Sequence, residues 1–408
     1  MESTKLVAGL TRLVGDLGEA EDLAQDALVV ALEKWPESGV PDNPAAWLMA
    51  TAKHKVLDRF RRAKMLDRKH EELARLLEAE RRSPEPELHA ALDDAIGDDV
   101  LRLIFMTCHP VLAMEARVAL TLRLMGGLTT EEIARAFLVP TPTVQQRIVR
   151  AKRTLKESRV PFELPPASEL GERLDSVLGV IYLVFNEGYS ATAGETWVRP
   201  ELCEDALRLG RILAGLAPQE PEVHGLVALM EIQASRLRAR RGPAGEPVLL
   251  MDQDRSRWDH LLIRRGLDAL ARAESLHQPL GPYCLQAAIA ACHARATSPE
   301  ETQWETIVAL YDALAQVAPS PVVELNRAVA IGMALGPEAG LELVDELSSE
   351  PALAGYHWLP SVRGDLLAKL GRHQEARAEF ERAAFLTQNV RERELLLERV
   401  RESGDAES

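Results

Sequence analysis

The stretch Leu128–Leu155, LTTEEIARAFLVPTPTVQQRIVRAKRTL, decides how this chain is read. It divides into two short amphipathic segments around the turn LVPTP. Thr129 or Thr130 stands where a first helix needs its cap. Thr141, with Pro142 behind it, stands where a second helix begins. In the second segment Val144, Ile148, Ala151 and Leu155 recur at helical spacing, so one face is apolar and points to a core. Thr143, Gln145, Gln146, Arg147 and Arg150 then form the leading face, followed by Lys152, Arg153 and Lys156. Gln pairs with adenine edges and Arg with guanine edges. The later cations suit phosphate, which positions a protein without specifying sequence. Together these features predict a helix-turn-helix whose second helix enters the DNA major groove. The competing reading is a helical hairpin with a basic face.

Upstream lies Glu19–Trp35, EAEDLAQDALVVALEKW. Ala20, Leu23, Ala24, Ala27, Leu28, Ala31, Leu32 and Trp35 form an i, i+3, i+4, i+7 stripe. The opposite face holds Glu21, Asp22, Gln25, Asp26 and Val29, which alone reads as a solvated acidic surface. After the loop PESGVPDNP comes Ala45–Lys64, AAWLMATAKHKVLDRFRRAK. Asn43 is its expected cap, with Pro44 at the first helical position. Leu48, Ala52, Val56 and Phe60 make the apolar stripe. Lys53, Lys55, Arg59, Arg61, Arg62 and Lys64 make its end electropositive, a surface suited to tracking phosphates.

Composition supports an all-helical chain: aromatics are only 4% and the hydrophobic fraction of 46% excludes wholesale disorder. The net charge of −15 over 408 residues seems wrong for a DNA binder until it is divided. Residues 1–160 hold 24 Lys+Arg against 25 Asp+Glu; subtracting from 48 and 63 leaves 24 against 38 for residues 161–408. The acid excess is therefore C-terminal, and local patches govern DNA binding. The start MESTKLVAGLTRL lacks a signal-peptide core, and Val177–Phe185 is too short to span a bilayer. Cys108, Cys203, Cys284 and Cys292 form no CxxC pair and read as buried reduced thiols. A cytoplasmic protein with no membrane partner is expected.

Proline clusters and charge density set the boundaries. Residues 1–63 form a first helical domain. Residues 64–94, with Pro84 and Pro86, form a linker. Residues 95–160 form a second helical domain ending in the helix-turn-helix. After VPFELPPAS, residues 169–408 read as repeated helix pairs. LLAKLGRHQEARAEFERAAFL is the clearest unit, with Gly364, Gly371, Ala376, Phe380 and Ala383 at tetratricopeptide-like (TPR) spacing. Ile307, Tyr311, Leu314 and Pro319 mark an earlier unit, and Gly340, Val344 and Leu347 a weaker one between them. Such units stack because no single pair buries its own apolar face. FNEGYSATAG, LLMDQDRSRWDHLLI and GPYCLQAAIAACHA are less repeat-like and gather Glu187, Tyr189, Asp254, Arg255, Arg257, Trp258, Asp259 and His260. Packing and salt bridges are their first reading, and a ligand or peptide groove the second. No nucleophile–base pair or metal-ligand spacing suggests an enzyme, a cofactor or a metal.

In order and content these segments resemble the extracytoplasmic-function (ECF) sigma factors, two-domain promoter-specificity subunits of bacterial RNA polymerase. The resemblance covers about residues 4–158. AEDLAQDALVVALEKW resembles region 2.2, which implies that Glu21, Asp22, Gln25, Asp26 and Val29 dock on the β′ clamp helices of core polymerase. NPAAWLMATAKHKVLDRFRR resembles regions 2.3 and 2.4, which implies −10 recognition and melting by Asn43, Lys53, Lys55, Arg59, Arg61 and Arg62. The loop Glu37–Asn43 would hold a flipped base. The helix-turn-helix resembles region 4.2, which implies −35 contacts by Thr141, Thr143, Gln145, Gln146, Arg147, Arg150, Lys152 and Arg153, beside the β flap. Leu138 stands where many members have Gly. The linker Lys64–Asp94 would lie near the polymerase active-site cleft. The extension resembles that of an ECF subgroup with a long TPR-like C-terminus, which implies regulation of the sigma factor by its own extension; a peptide or protein partner for it goes with the groove reading. The alternative is a helix-turn-helix transcriptional regulator with a ligand-sensing helical domain.

Overall fold

The computed structural model describes residues 2–62, 99–137, 139–166, 168–191, 193–243 and 245–405. The linker Lys64–Asp94 and Leu138 lie outside the described residues. The chain divides into two compact units, Met1–Val180 and Ile181–Ser408. It is all-helical, as its composition predicts, apart from a two-residue parallel strand pairing and an isolated Arg241–Pro247 bridge among the described residues.

The first unit opens with α1 (Glu2–Val14), α2 (Leu17–Ser38) and α3 (Pro44–Arg62), each packed on the other two. Gly15 turns the chain at φ 72°, a conformation that favours glycine. Asp16 then caps α2 by accepting the Glu19 amide at 3.0 Å. Leu6, Leu10, Ala20, Leu23, Ala24, Ala27, Leu48, Ala52 and Val56 are buried, so both sequence stripes mark a real core. Asn43 caps α3 as expected, its Oδ1 accepting the Ala46 amide at 3.0 Å.

Two details of α2 differ from the sequence reading. Leu32 is 75% exposed, because the helix outlasts the core its stripe serves. Pro36 lies inside the last turn and not in a loop; the helix ends at Gly39, φ 80°, whose amide bonds the Trp35 carbonyl. Only residues 39–43 are left to connect α2 to α3.

The same unit continues with α4 (residues 99–107), α5 (Met114–Thr121) and a π-helical turn, Leu122–Gly126. Then follow α6 (Thr130–Ala136) and α7 (Thr141–Glu157). Thr129 is the cap of α6: its hydroxyl accepts the Glu132 amide at 3.2 Å while Glu132 Oε2 accepts the Thr129 amide at 2.7 Å. This is a reciprocal capping box. Thr141 does not cap α7 with its side chain. Pro140 is the cap residue, and the Thr143 amide already bonds its carbonyl at 2.9 Å, so the helix starts one residue early. The first part of α8 (Leu170–Tyr189) also belongs to this unit. Arg173 donates to the Phe105 carbonyl at 2.9 Å, and the Ser176 hydroxyl donates to the Cys108 carbonyl at 2.7 Å.

The second unit is a train of helices, each packed on the next. They are α9 (Pro200–Leu216), α10 (Pro221–Ala234), α11 (His260–Ser275), α12 (Pro282–Arg295), α13 (Trp304–Val317), α14 (Pro321–Leu335), α15 (Pro337–Leu347), α16 (Trp358–Lys369), α17 (His373–Leu386) and α18 (Val390–Asp405). The TPR-spaced residues meet across the α16–α17 hairpin. Gly371 turns at φ 73°, Ala376, Phe380 and Ala383 are buried, and a Cβ on Gly364 would sit 2.7 Å from the Phe380 ring. Glycine at 364 is what lets the two helices close on the ring.

The train is tied back on itself. Ala193–Gly194 pairs in parallel with Gln388–Asn389. Fully buried Asn389 donates to the Ala191 and Thr196 carbonyls, both at 2.9 Å, and accepts the Arg391 amide at 3.0 Å. Leucine at 389 would leave the buried Ala191 carbonyl without its partner, at about 1–3 kcal/mol, and would also lose the bond to the Thr196 carbonyl. Asn389→Leu should therefore lower the urea midpoint of the full chain clearly, whereas an unchanged midpoint would show the tie to be marginal.

Candidate nucleic-acid interface

The recognition helix α7 is built as its spacing predicts. Val144, Ile148, Ala151 and Leu155 are all buried. Gln145, Gln146, Arg150 and Arg153 are exposed, and Thr141, Thr143 and Arg147 are half-buried along the same edge. The apolar stripe thus anchors the helix while amide and guanidinium groups face outward, the arrangement that base-edge reading requires. Arg153 also pairs with exposed Glu157 at 3.4 Å, a contact of little energetic weight.

The first three helices bring together much of the second candidate surface. On α2, Asp22, Gln25 and Val29 are exposed. Asp26 is half-buried, and its carbonyl accepts Lys55 Nζ at 3.1 Å, which links the acidic face of α2 to the basic face of α3. The Trp35 and Trp47 rings meet at 5.5 Å, tilted by 59°, between the same two helices. Asn43 is exposed and Lys53 half-buried. The side chains of Arg59, Arg61 and Arg62 lie outside the described residues.

Glu21 departs from the sequence reading. It is 7% exposed, not on an open face. Its carboxylate receives Lys152 of α7 through Oε2 and Arg123 of the π turn at 3.4 Å through Oε1. Nearby, Lys156 of α7 pairs with Asp16 at 2.6 Å. Burial opposes the charge on Asp16, yet the Lys156 hydrogen bond and the Glu19 and Gly18 amides hold its carboxyl below the ordinary range. Asp16 and Arg123 were not among the candidates from sequence. Glu21 and Lys152 are 131 residues apart, so no local pattern could pair them.

In the second unit the less repeat-like segments serve packing. Glu222 of α10 accepts the Gly281, Tyr283 and Cys284 amides at 2.8–3.2 Å and so caps α12 from outside. Asp259 caps α11, and Arg255 donates to the His293 and Ala296 carbonyls. Arg236 lies 5.9 Å from the Tyr189 ring and 5.8 Å from that of Trp258. All four cysteines are buried and unpaired, and burial pushes the Cys203 thiol up to about 12. Among the described residues no cluster of His, Cys, Asp and Glu would hold a metal, and no helix is long and apolar enough to cross a membrane.

His293 gives this region a pH signature. Burial, then Arg236 and Arg255, push its imidazole down to about 3. An unfolded histidine titrates near 6.5, so between about 6.5 and 3 the unfolded chain binds the extra proton. Stability from His293 is complete above about 6.5 and falls as the pH is lowered. The thermal midpoint of the full chain should drop between pH 7 and 5, and less steeply in His293→Gln. Equal slopes would contradict the buried neutral imidazole.

Comparison with known proteins places these surfaces in context. Sigma-70 region 2 matches residues 3–65, and sigma-70 region 4 matches residues 102–155. The RNA polymerase sigma-H factor of Pseudomonas aeruginosa is 31% identical over 167 residues, 39% of this chain and 82% of that protein. The chain belongs to the RNA polymerase sigma-factor family. Its region 2 is therefore α1–α3, and its region 4 contains α6 and the recognition helix α7. The probable ECF RNA polymerase sigma factor SigI of Mycobacterium tuberculosis is 28% identical over 158 residues, 38% of this chain and about half (52%) of that protein. The extension is not confined to this chain: an uncharacterized protein of Rhizobium meliloti is 45% identical over 388 residues, 95% of this chain and 90% of that protein. Residues 173–274 match a family of unknown function, DUF6596.

Proposed function

We propose that this sigma factor is of the ECF type, that it binds core RNA polymerase through the exposed part of α2, and that it directs initiation at promoters with −35 and −10 elements. The observation that carries this reading is the recognition helix: its apolar stripe is buried and its Gln and Arg groups are presented outward, on a chain that also has region 2. A regulator that only binds duplex operator has no use for region 2. Residues 181–408 are read as a regulatory domain. An open cavity of about 710 Å³ there, rimmed by Arg238, Arg241 and Arg257 against Trp258, suits an acidic peptide or protein partner.

Permanganate reactivity of −10 thymines tests this. Core polymerase plus the chain should make them reactive, and neither alone should. Tight operator-like binding without polymerase, and no reactive thymines with it, would favour the ligand-sensing regulator.

Reading and positioning separate within α7. Arg147→Ala should lose about 1–3 kcal/mol and relax preference at one −35 base. Lys156→Ala should weaken all promoters alike and lower the salt dependence. Identical effects of both changes on every promoter would overturn this orientation of the helix.

A further inference from the structure

Six arginines gather in the second unit on two stretches of chain, residues 235–241 (SRLRARR) and 254–258 (DRSRW). They are Arg236, Arg238, Arg240, Arg241, Arg255 and Arg257, and none of them forms an ion pair among the described residues. Elsewhere in this acid-rich half many arginines find carboxylates: Arg199 pairs with Glu187 and Arg211 with Glu231, both at 2.7 Å, and Arg327 with Asp312 at 2.6 Å. The six are sorted by depth. Arg236 is 6% exposed, Arg240 and Arg255 are half-buried, and Arg238, Arg241 and Arg257 are exposed. The Arg236 guanidinium faces the rings of Tyr189 and Trp258 and donates no hydrogen bond to any described residue. Burial first, then Arg240 and Arg255, push it down from its ordinary value. A buried charge of this kind is costly unless an opposite charge meets it.

The three exposed members line the open cavity of about 710 Å³. Trp258 lines it too, and its ring also meets the guanidinium groups of Arg236 and Arg255 at 5.8 and 5.0 Å. Other polar groups of the lining are engaged: Asp259 caps α11, and the Ser256 hydroxyl donates to Asp254 at 2.6 Å. Arg257 donates to the Arg238 carbonyl at 2.6 Å and so braces the segment that carries Arg238 and Arg241. The Gly242 amide bonds the Glu246 carbonyl and the Val248 amide the Arg240 carbonyl, both at 2.9 Å, which braces the same segment from its other end. Arg238 and Arg241 are left with their guanidinium forks unpaired among the described residues. Such forks match carboxylates, which they bind through two parallel hydrogen bonds.

We propose that this cavity docks an acidic segment of a partner protein, whose carboxylates are held by Arg238 and Arg241 against the Trp258 wall. This deepens the acidic-partner reading given above and rests on it. The segment supplies the negative charge that the arginine cluster lacks, so the penalty of burying Arg236 is relieved on binding. A lone carboxylate or phosphate leaves most of the cavity open, whereas a peptide brings several carboxylates and a backbone to fill it.

Fluorescence anisotropy of a labelled oligoglutamate peptide against the full chain tests this. The peptide should bind, oligoglutamine should not, and affinity should fall as salt is added. Arg238→Gln with Arg241→Gln should weaken binding roughly tenfold or more and leave the melting temperature unchanged, since both side chains are exposed. Arg150→Gln with Arg153→Gln, on the recognition helix, should bind the peptide as the wild type does. Arg236→Met removes the buried charge and fills its volume, so the melting temperature should hold or rise while peptide affinity falls about threefold. A purely structural arginine would show the reverse. Equal peptide affinity in the wild type and in Arg238→Gln with Arg241→Gln overturns this placement and leaves the acidic-partner reading standing. No binding by the wild type overturns both. Inorganic phosphate or glutarate that competes as well as unlabelled peptide makes this a site for small anions and overturns the peptide assignment. A melting temperature several degrees lower in Arg236→Met overturns the uncompensated charge on which the site is argued.

Discussion

A chain ending at Pro161 should be less stable and should yield far less transcript than the full protein. The reason is local. Residues beyond Pro161 supply Arg173 and Ser176, which satisfy the Phe105 and Cys108 carbonyls, and Ser176 also accepts Arg117 at 2.9 Å. Leu174 and Val177 of the same helix are buried. Each lost bond is worth about 0.5–1.5 kcal/mol net, and removing Leu174 and Val177 uncovers the apolar surface they cover, so losing this helix should take several kcal/mol from the first unit. A second truncation, after Val180, retains these contacts and completes the first compact unit. It isolates the contribution of residues 181–408. If that longer fragment is stable yet transcribes poorly, the extension activates; if it transcribes more than the full chain, the extension restrains. Equal stability of the Pro161 fragment and the full first unit would contradict the packing described.

Asp22→Lys should cut affinity for core polymerase by tenfold or more, about 1.4 kcal/mol or above, with the melting temperature almost unchanged. Asp22 is exposed on the outer face of α2, so charge reversal there touches no core. Asp26 is a poorer site for this test, because reversal would set a cation against Lys55, which already bonds the Asp26 carbonyl. Glu21 is poorer still, since it is buried against Lys152 and Arg123. Co-purification of Asp22→Lys with core enzyme at the wild-type level would count against α2 as the docking helix.

The parts of this protein set by local periodicity were legible from its sequence. The stripe Val144, Ile148, Ala151 and Leu155 is buried residue for residue, because a helix on a core obeys a period of 3.6. Asn43 ahead of Pro44 capped α3 as its chemistry requires. What the sequence hid is non-local. Glu21 sits on the polar side of α2 by spacing, and only the arrival of region 4 buries it. Leu32 belongs to the apolar stripe by spacing, but the core stops short of it. Asn389 looks like a turn residue, and nothing near it announces the carbonyls of Ala191 and Thr196. Thr141 stands at the cap position by residue type, but Pro140 starts the helix with its carbonyl alone.

Run-off transcription tests the central claim most directly. Purified core polymerase, the full chain and a template carrying matched −35 and −10 elements should give a discrete transcript that requires both proteins and is lost with Asp22→Lys. A transcript from core alone at the same level, or none with the chain present at any promoter drawn from its own genome, would contradict the account.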